Sequence, residues 1–207
     1  MNQFVLKNGY QRRTNNVLTL LIVLFALYVL ISPVLPQMKW LLKDKETGAP
    51  YAGQLFTLTS PTSPAPDPEK KPEGNRIVIP SALIDQPIYE GSSIWVIEHG
   101  GSWRKNLNTT SPEDFGNTVI IGHRFTYKQP EGAFYHLDKV TVGDKLAIYW
   151  NGEELLYTVS EKKVVAAEVV EVEQNTSDRR LTLYTCTPLV TAENRLVITA
   201  LPDRSAE

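Results

Sequence analysis

The sequence predicts an all-β domain, a barrel or a sandwich, over residues 76–207, behind one N-terminal apolar helix. Three observations carry this. Short β-branched runs recur through the later part of the chain, separated by Gly, Pro, Asn and Asp. One pair of runs is joined by Asn151-Gly152, a strong short-range hairpin signal. Finally, residues 17–35, VLTLLIVLFALYVLISPVL, hold 19 residues without a charge. That is close to the roughly 20 apolar residues a spanning helix needs.

The elements follow in order. Residues 1–16 read as a short cytoplasmic tail and 17–35 as the transmembrane helix. A cleaved leader fits less well, because the apolar run is long for one and no A-x-A site follows. Lys7, Arg12 and Arg13 precede the span and Lys39, Lys43 and Lys45 follow it, so the count of flanking cations is a tie. Residues 36–75 connect span and domain. Their first part, 36–56, is mixed and suggests no role. Residues 57–75 hold Pro61, Pro64, Pro66, Pro68 and Pro72 among Ser, Thr and charged residues. Proline removes backbone donors and favours extended conformers, so this is a semi-stiff spacer that should hold the domain off the bilayer.

Within 76–207, strands are expected at RIVIP (76–80), QPIYEG (86–91), NTVIIGHR (117–124), DKLAIYW (144–150), ELLYTVSEKKVV (154–165), RRLTLYTC (179–186) and NRLVITAL (194–201). AEVVEVE (167–173) alternates and reads as strand or loop. Helical signal is confined to short pieces around 92–98 and 133–137. The long stretch 98–115 offers no assignment.

Charge is uneven. Residues 1–75 carry 8 Lys/Arg against 5 Asp/Glu, whereas 76–207 carry 13 against 18. An acidic domain with no basic stripe argues against nucleic-acid binding. Cys186 is the sole cysteine, so no internal disulfide forms. Three histidines and one cysteine, far apart in sequence, lack the paired spacing of a zinc site, and no metal or other cofactor is expected.

Cys186 ends a strand just before Pro188. Alternation puts Leu181, Leu183 and Thr185 on one face, with Thr182, Tyr184 and Cys186 on the other. If the first set fills the interior, Cys186 faces out onto a groove. The same count on the last strand makes Leu196, Ile198 and Ala200 interior and turns Arg195 outward, beside the cysteine strand. A thiol needs help to become a thiolate, its unperturbed pKa being about 8.5. An imidazole supplies that help as partner cation or proton acceptor. Arginine does not lose its proton, so it serves as a donor to an oxyanion or carbonyl rather than as a base. Singly, each residue also has a plain structural reading: a core cysteine, a turn histidine, a surface arginine.

In combination they resemble a known family. TLYTC (182–186) fits the TLxTC signature of sortases, GHR (122–124) sits where they carry their histidine, and Arg195 opens the strand after the cysteine, where they carry their arginine. RIVIPSALIDQPIYEG (76–91), GNTVIIGH (116–123) and VGDKLAIY (142–149) also look like sortase core segments. The resemblance covers nearly all of 76–207, and it implies a closed sortase-like β-barrel of about eight strands with short helices. It further implies a cysteine transpeptidase in which Cys186 attacks the Thr–Gly bond of an LPxTG-like C-terminal sorting signal on a surface protein. His123 would move the proton, Arg195 would hold the carbonyl oxygen, and Thr185 would line the substrate pocket. The thioester would pass to an amine, either a cell-wall precursor or a pilin lysine. The domain would lie outside the cell, with the chain entering the membrane once through 17–35. No second span follows the domain, and Asp67-Pro68 lacks the aromatic residue of a pilin-sortase lid, so the resemblance is to a lidless, housekeeping-like enzyme. His99 and His136 match no family segment and read as a turn residue and a packed residue. The alternative is a membrane-anchored, non-catalytic β-domain for binding or structure, with Cys186 buried and inert to alkylation.

Overall fold

A computed structural model describes residues 2–42, 73–91, 93–105 and 109–203. Its eight strands are β1 (Arg76–Ile79), β2 (Ile84–Gly91), β3 (Ser102–Lys105), β4 (Asn117–Gly122), β5 (Lys145–Trp150), β6 (Glu153–Ala166), β7 (Arg180–Thr187) and β8 (Asn194–Pro202). They close into a barrel in the order β1-β2-β3-β4-β7-β8-β6-β5, with β5 returning to β1. The β2–β3 and β4–β7 pairs are parallel and the others antiparallel. Closure satisfies both edges of every strand, which decides between the barrel and the sandwich.

The interior is built by alternation. Ile77 and Ile79 of β1, Leu146 and Ile148 of β5, Leu181 and Leu183 of β7, and Leu196, Ile198 and Ala200 of β8 share one core with Ile120, Tyr157 and Val159. At the hairpin, Asn151 (φ 50°) and Gly152 (φ 84°) occupy left-handed backbone between Trp150 and its partner Glu153. That is the two-residue turn that Asn-Gly favours.

Four expectations change in detail. Residues 167–173 form a turn and a single 3-10 turn, Glu171–Glu173, not a strand. The reason is topological: β7 is already paired with β4 and β8, so no edge is open to a further strand. Conversely, β3 lies inside the unassigned 98–115 stretch. With four residues and two cations it is too short to show a pattern, yet it pairs on both sides. Short 3-10 helices fall at Ile94–His99 and Leu137–Lys139, the second preceded by turns over 133–136 that include the buried His136, and at Pro80–Ala82, where none was expected.

The apolar helix is the fourth. Helix α1 runs Asn2–Ile31, and after a break at 32–34 a second helix, α2, runs Leu35–Leu42. Pro33 lacks an N–H and disfavours helical backbone at Ser32, so α1 ends before Leu35. Among the described residues, the stretch long and apolar enough to cross a membrane is Gln11–Ile31, whose 18-residue apolar window has mean hydropathy 2.2. Most of the proline-rich spacer, and Asp67-Pro68 with it, lies outside the described residues.

Candidate active site

The parallel β4–β7 pair brings the distant residues together. Its register runs from Asn117 opposite Arg180 to Ile121 opposite Tyr184. Two residues further along, the two chains carry His123 and Cys186. Thr185 ties them there: its buried hydroxyl donates to the Gly122 carbonyl at 2.8 Å. On the other side of β7, Cys186 stands opposite Arg195 in the antiparallel ladder. Three chain segments thus place His123, Cys186 and Arg195 side by side at one end of the barrel.

All three line one cavity of about 320 Å³. Its floor is apolar. Ile97, Trp103 and Ile121 form a small second core on the outer barrel wall, with Tyr184 packed against it. This explains why β4 is buried along its whole length: one face meets the barrel interior and the other lies under the floor. Cys186 is half-buried at the rim rather than sealed in the core. Thr185 reaches the cavity as expected, but its side chain is buried and its hydroxyl is already spent on Gly122.

The polar groups are held from behind. The Nε2 atom of His123 is buried without a hydrogen-bond partner; Glu98 Oε1, at 4.0 Å, is beyond hydrogen-bond reach. Arg195 Nη1 donates to the carbonyls of Ala192 and Asn194, both at 3.1 Å, which anchors the guanidinium on the β7–β8 connection. Glu173 bridges the far wall, accepting from the Tyr184 hydroxyl and pairing with Lys105. Burial, then the hydrogen bond to Glu173 and its charge, hold the Tyr184 phenol far above its ordinary range, against a smaller pull from Arg195. Tyr184 is therefore a neutral wall residue, not an acid or base.

These features converge with the comparisons. Residues 77–203 match the sortase domain family. The chain belongs to the sortase family. Sortases are cysteine transpeptidases. Sortase A of Listeria monocytogenes is 30% identical over 135 residues, covering 64% of this chain and 58% of that protein. Sortase C1 of group B Streptococcus pilus island 1 superposes with a TM-score of 0.56 at 30% identity, over 64% of this chain and 66% of that one. The sortase D5 transpeptidase of Clostridium perfringens gives 0.55 at 25% identity, over 62% and 78%. This sortase thus spans less than two thirds of the length of its Listeria relative.

Two residues that brace the segments around this cavity escaped the sequence. Arg124, the third residue of GHR, is mostly buried and reaches three partners: Thr187 Oγ1 at 3.0 Å, the Tyr135 carbonyl at 3.3 Å and Asp138 at 3.2 Å. It clamps the histidine loop to the residue after Cys186. Asn117 is buried at the start of β4. Its Nδ2 donates to the carbonyls of Val172 and Gln174, both at 3.0 Å, and its Oδ1 accepts from Thr182 Oγ1 at 2.7 Å. It fixes the turn that delivers Glu173. Nothing local in the sequence marks either residue, since every partner is tertiary. Among the described residues, no group of three or more His, Cys, Asp and Glu stands close enough to hold a metal ion.

Proposed function

We propose that this protein is a membrane-anchored cysteine transpeptidase that cleaves LPxTG-like sorting signals and transfers the surface protein to an amine. The observation that carries the reading is the shared cavity. Cys186 and Arg195 face each other across one ladder, and His123 leaves the strand paired on the other side of Cys186.

The chemistry follows from the positions. The Cys186 thiolate adds to the carbonyl carbon of the scissile Thr–Gly bond. Arg195 donates to the oxygen as negative charge develops on it, an interaction stronger in the transition state than in the ground state. The C–N bond then breaks as His123 gives its proton to the departing glycine amine. This leaves the acyl group as a thioester on Cys186. An incoming amine, from a cell-wall precursor or a pilin lysine, gives its proton to His123 as it displaces the thiolate. Atoms balance without cofactor or metal. The apolar floor suits the leucine and proline of such a signal, and the α1 span suits a single-pass enzyme with its barrel outside the cell.

The test is mass spectrometry on the detergent-solubilised chain with an LPxTG peptide and an amine. The expected result is an acyl adduct on Cys186 and an amine-dependent product. Wild type and Cys186→Ala behaving alike across a panel of sorting peptides would refute the reading. Rapid alkylation of Cys186 in the folded protein separates it from a binding domain with an inert thiol.

A further inference from the structure

We infer that the barrel sits directly on the bilayer, docked through the back of its histidine loop onto the end of α1, with Phe125–Lys128 in the lipid interface. The inference rests on the reading of α1 as a membrane span. Along α1 the side chains from Gln11 to Ile31 are almost all exposed. Burial starts abruptly at the break, where Ser32, Pro33 and then Pro36 are covered. The cover is the barrel: the Tyr135 hydroxyl donates to the Pro33 carbonyl at 2.5 Å in a buried contact 102 residues apart in sequence. A second bond runs from the Tyr28 hydroxyl to the Tyr127 carbonyl at 3.2 Å. Pro36, three residues on, has no N–H to give the Pro33 carbonyl, and the barrel supplies a donor to it instead.

The lengths place this contact in the membrane plane. With Arg12 and Arg13 at one headgroup layer, the 18 residues Thr14–Ile31 rise about 27 Å as a helix, near the roughly 30 Å hydrocarbon thickness. Ile31 therefore ends at the interface, and Tyr28 lies about 4.5 Å along the axis inside that end. A barrel carbonyl bonded to the Tyr28 ring is at interface depth. The loop bearing it has the composition the interface favours. The rings of Phe125 and Tyr127 meet edge-to-face at 5.1 Å, Tyr127 is exposed, and Lys128 follows it. Aromatic and basic side chains are those that anchor at headgroup depth. Val34, Leu35 and Met38 are exposed on the adjoining elbow and α2 and extend the same apolar surface.

The loop that makes this contact also carries His123, which lines the cavity. Phe134 N donates to the His123 carbonyl at 3.0 Å and Gly132 N to the Arg124 carbonyl at 3.2 Å, so the loop that meets α1 is folded onto the backbone of the catalytic histidine. Docking therefore sets the His123 end of the groove beside the headgroups. It does so independently of the length of the proline-rich spacer, which the sequence suggests would hold the domain away.

The test uses the full chain in phosphatidylcholine–phosphatidylglycerol vesicles, in a Cys186→Ala background so that each added cysteine is unique. An environment-sensitive fluorophore is attached at Leu24→Cys, Tyr127→Cys or Glu153→Cys and challenged with lipids carrying a nitroxide quencher at a shallow or at a deep acyl position. Glu153 sits on the β5–β6 turn at the opposite end of the barrel. The expected result is strong quenching at positions 24 and 127 and none at 153. Quenching at 24 with position 127 as unquenched as 153 would overturn the docking and leave the span standing. No quenching at 24 would overturn the span and the docking with it. Adding Tyr135→Phe should shift the docked-to-free ratio about fivefold toward free, the value of one hydrogen bond of about 1 kcal/mol. Unchanged quenching at 127 in that variant would remove Tyr135 from the contact.

Discussion

Replacing Asn117 tests how the groove's far wall is held. In Asn117→Ala the side chain loses three hydrogen bonds: two to the carbonyls of Val172 and Gln174 and one from Thr182. At about 1 kcal/mol each the loss is about 3 kcal/mol. Residues 77–203 unfold with an entropy of roughly 0.27 kcal/mol/K by the usual per-residue value, so the melting temperature should fall by about 11 °C. Asn117→Asp is the sharper variant. It keeps the bond from Thr182 but replaces two N–H donors with an oxygen facing two carbonyl oxygens. Although nearly isosteric, it should destabilise at least as much as Ala. The effect should also reach the groove, because the freed turn carries Glu173, the partner of Tyr184 and Lys105. KM for a sorting peptide should rise in both variants while alkylation of Cys186 continues. The assays are thermal melting and steady-state transpeptidation. A melting temperature unchanged in Asn117→Ala, or Asp clearly milder than Ala, would refute the account.

Further outcomes follow from the same geometry. Arg195→Gln should lower kcat about 10²–10³-fold with a small change in KM, the usual effect of removing one oxyanion donor; equal changes in both would assign Arg195 to ground-state binding. Gly132→Ala should cut activity, because the new Cβ would lie 2.3 Å from the His123 carbonyl oxygen and force the histidine loop to move; full activity would show that the loop yields elsewhere. Burial raises the Tyr157 phenol to about 12. Its folded pKa thus exceeds its unfolded value of about 10, so its contribution is intact below pH 10 and is lost as pH rises through 12. Tyr157→Phe should lose less stability between pH 8 and pH 11 than wild type in urea titrations, and an equal loss would contradict the assignment.

How far the molecule can be read from its sequence depends on where each signal resides. Strands with alternating faces announce themselves, because Leu181, Leu183, Leu196 and Ile198 all had to be interior for either strand to be half-buried. The placement of Cys186 and Arg195 in one cavity follows from the same count, since strand parity alone turns both away from that interior. β3 is silent because its stability comes from two neighbours and not from its own four residues. The 167–173 alternation misleads for the complementary reason. Its valines suit a strand, but β7 has no free edge, and Asn117 captures the carbonyls of Val172 and Gln174 in a turn. Arg124 and Asn117 stay hidden because a clamp is defined only by the distant groups it joins.

That difference bears on how the site is built. Cys186 stands on β7 and His123 just past the end of its parallel neighbour β4, and the connection between them contains β5, β6 and the Glu173 turn. Such a pair has no local turn to fix its spacing. Two side-chain ties cross the gap instead. Thr185 binds Gly122 on the strand, and Arg124 reaches Thr187 beyond it. The first is buried in the sheet and sets the register; the second is a guanidinium held at its other end by Asp138 and Tyr135. A lysine at 124 keeps one charge but not the fork that joins three partners. Arg124→Lys should therefore keep the fold and the affinity for peptide while kcat falls with KM unchanged. A structural role alone would lower the melting temperature and leave kcat of the folded protein in place.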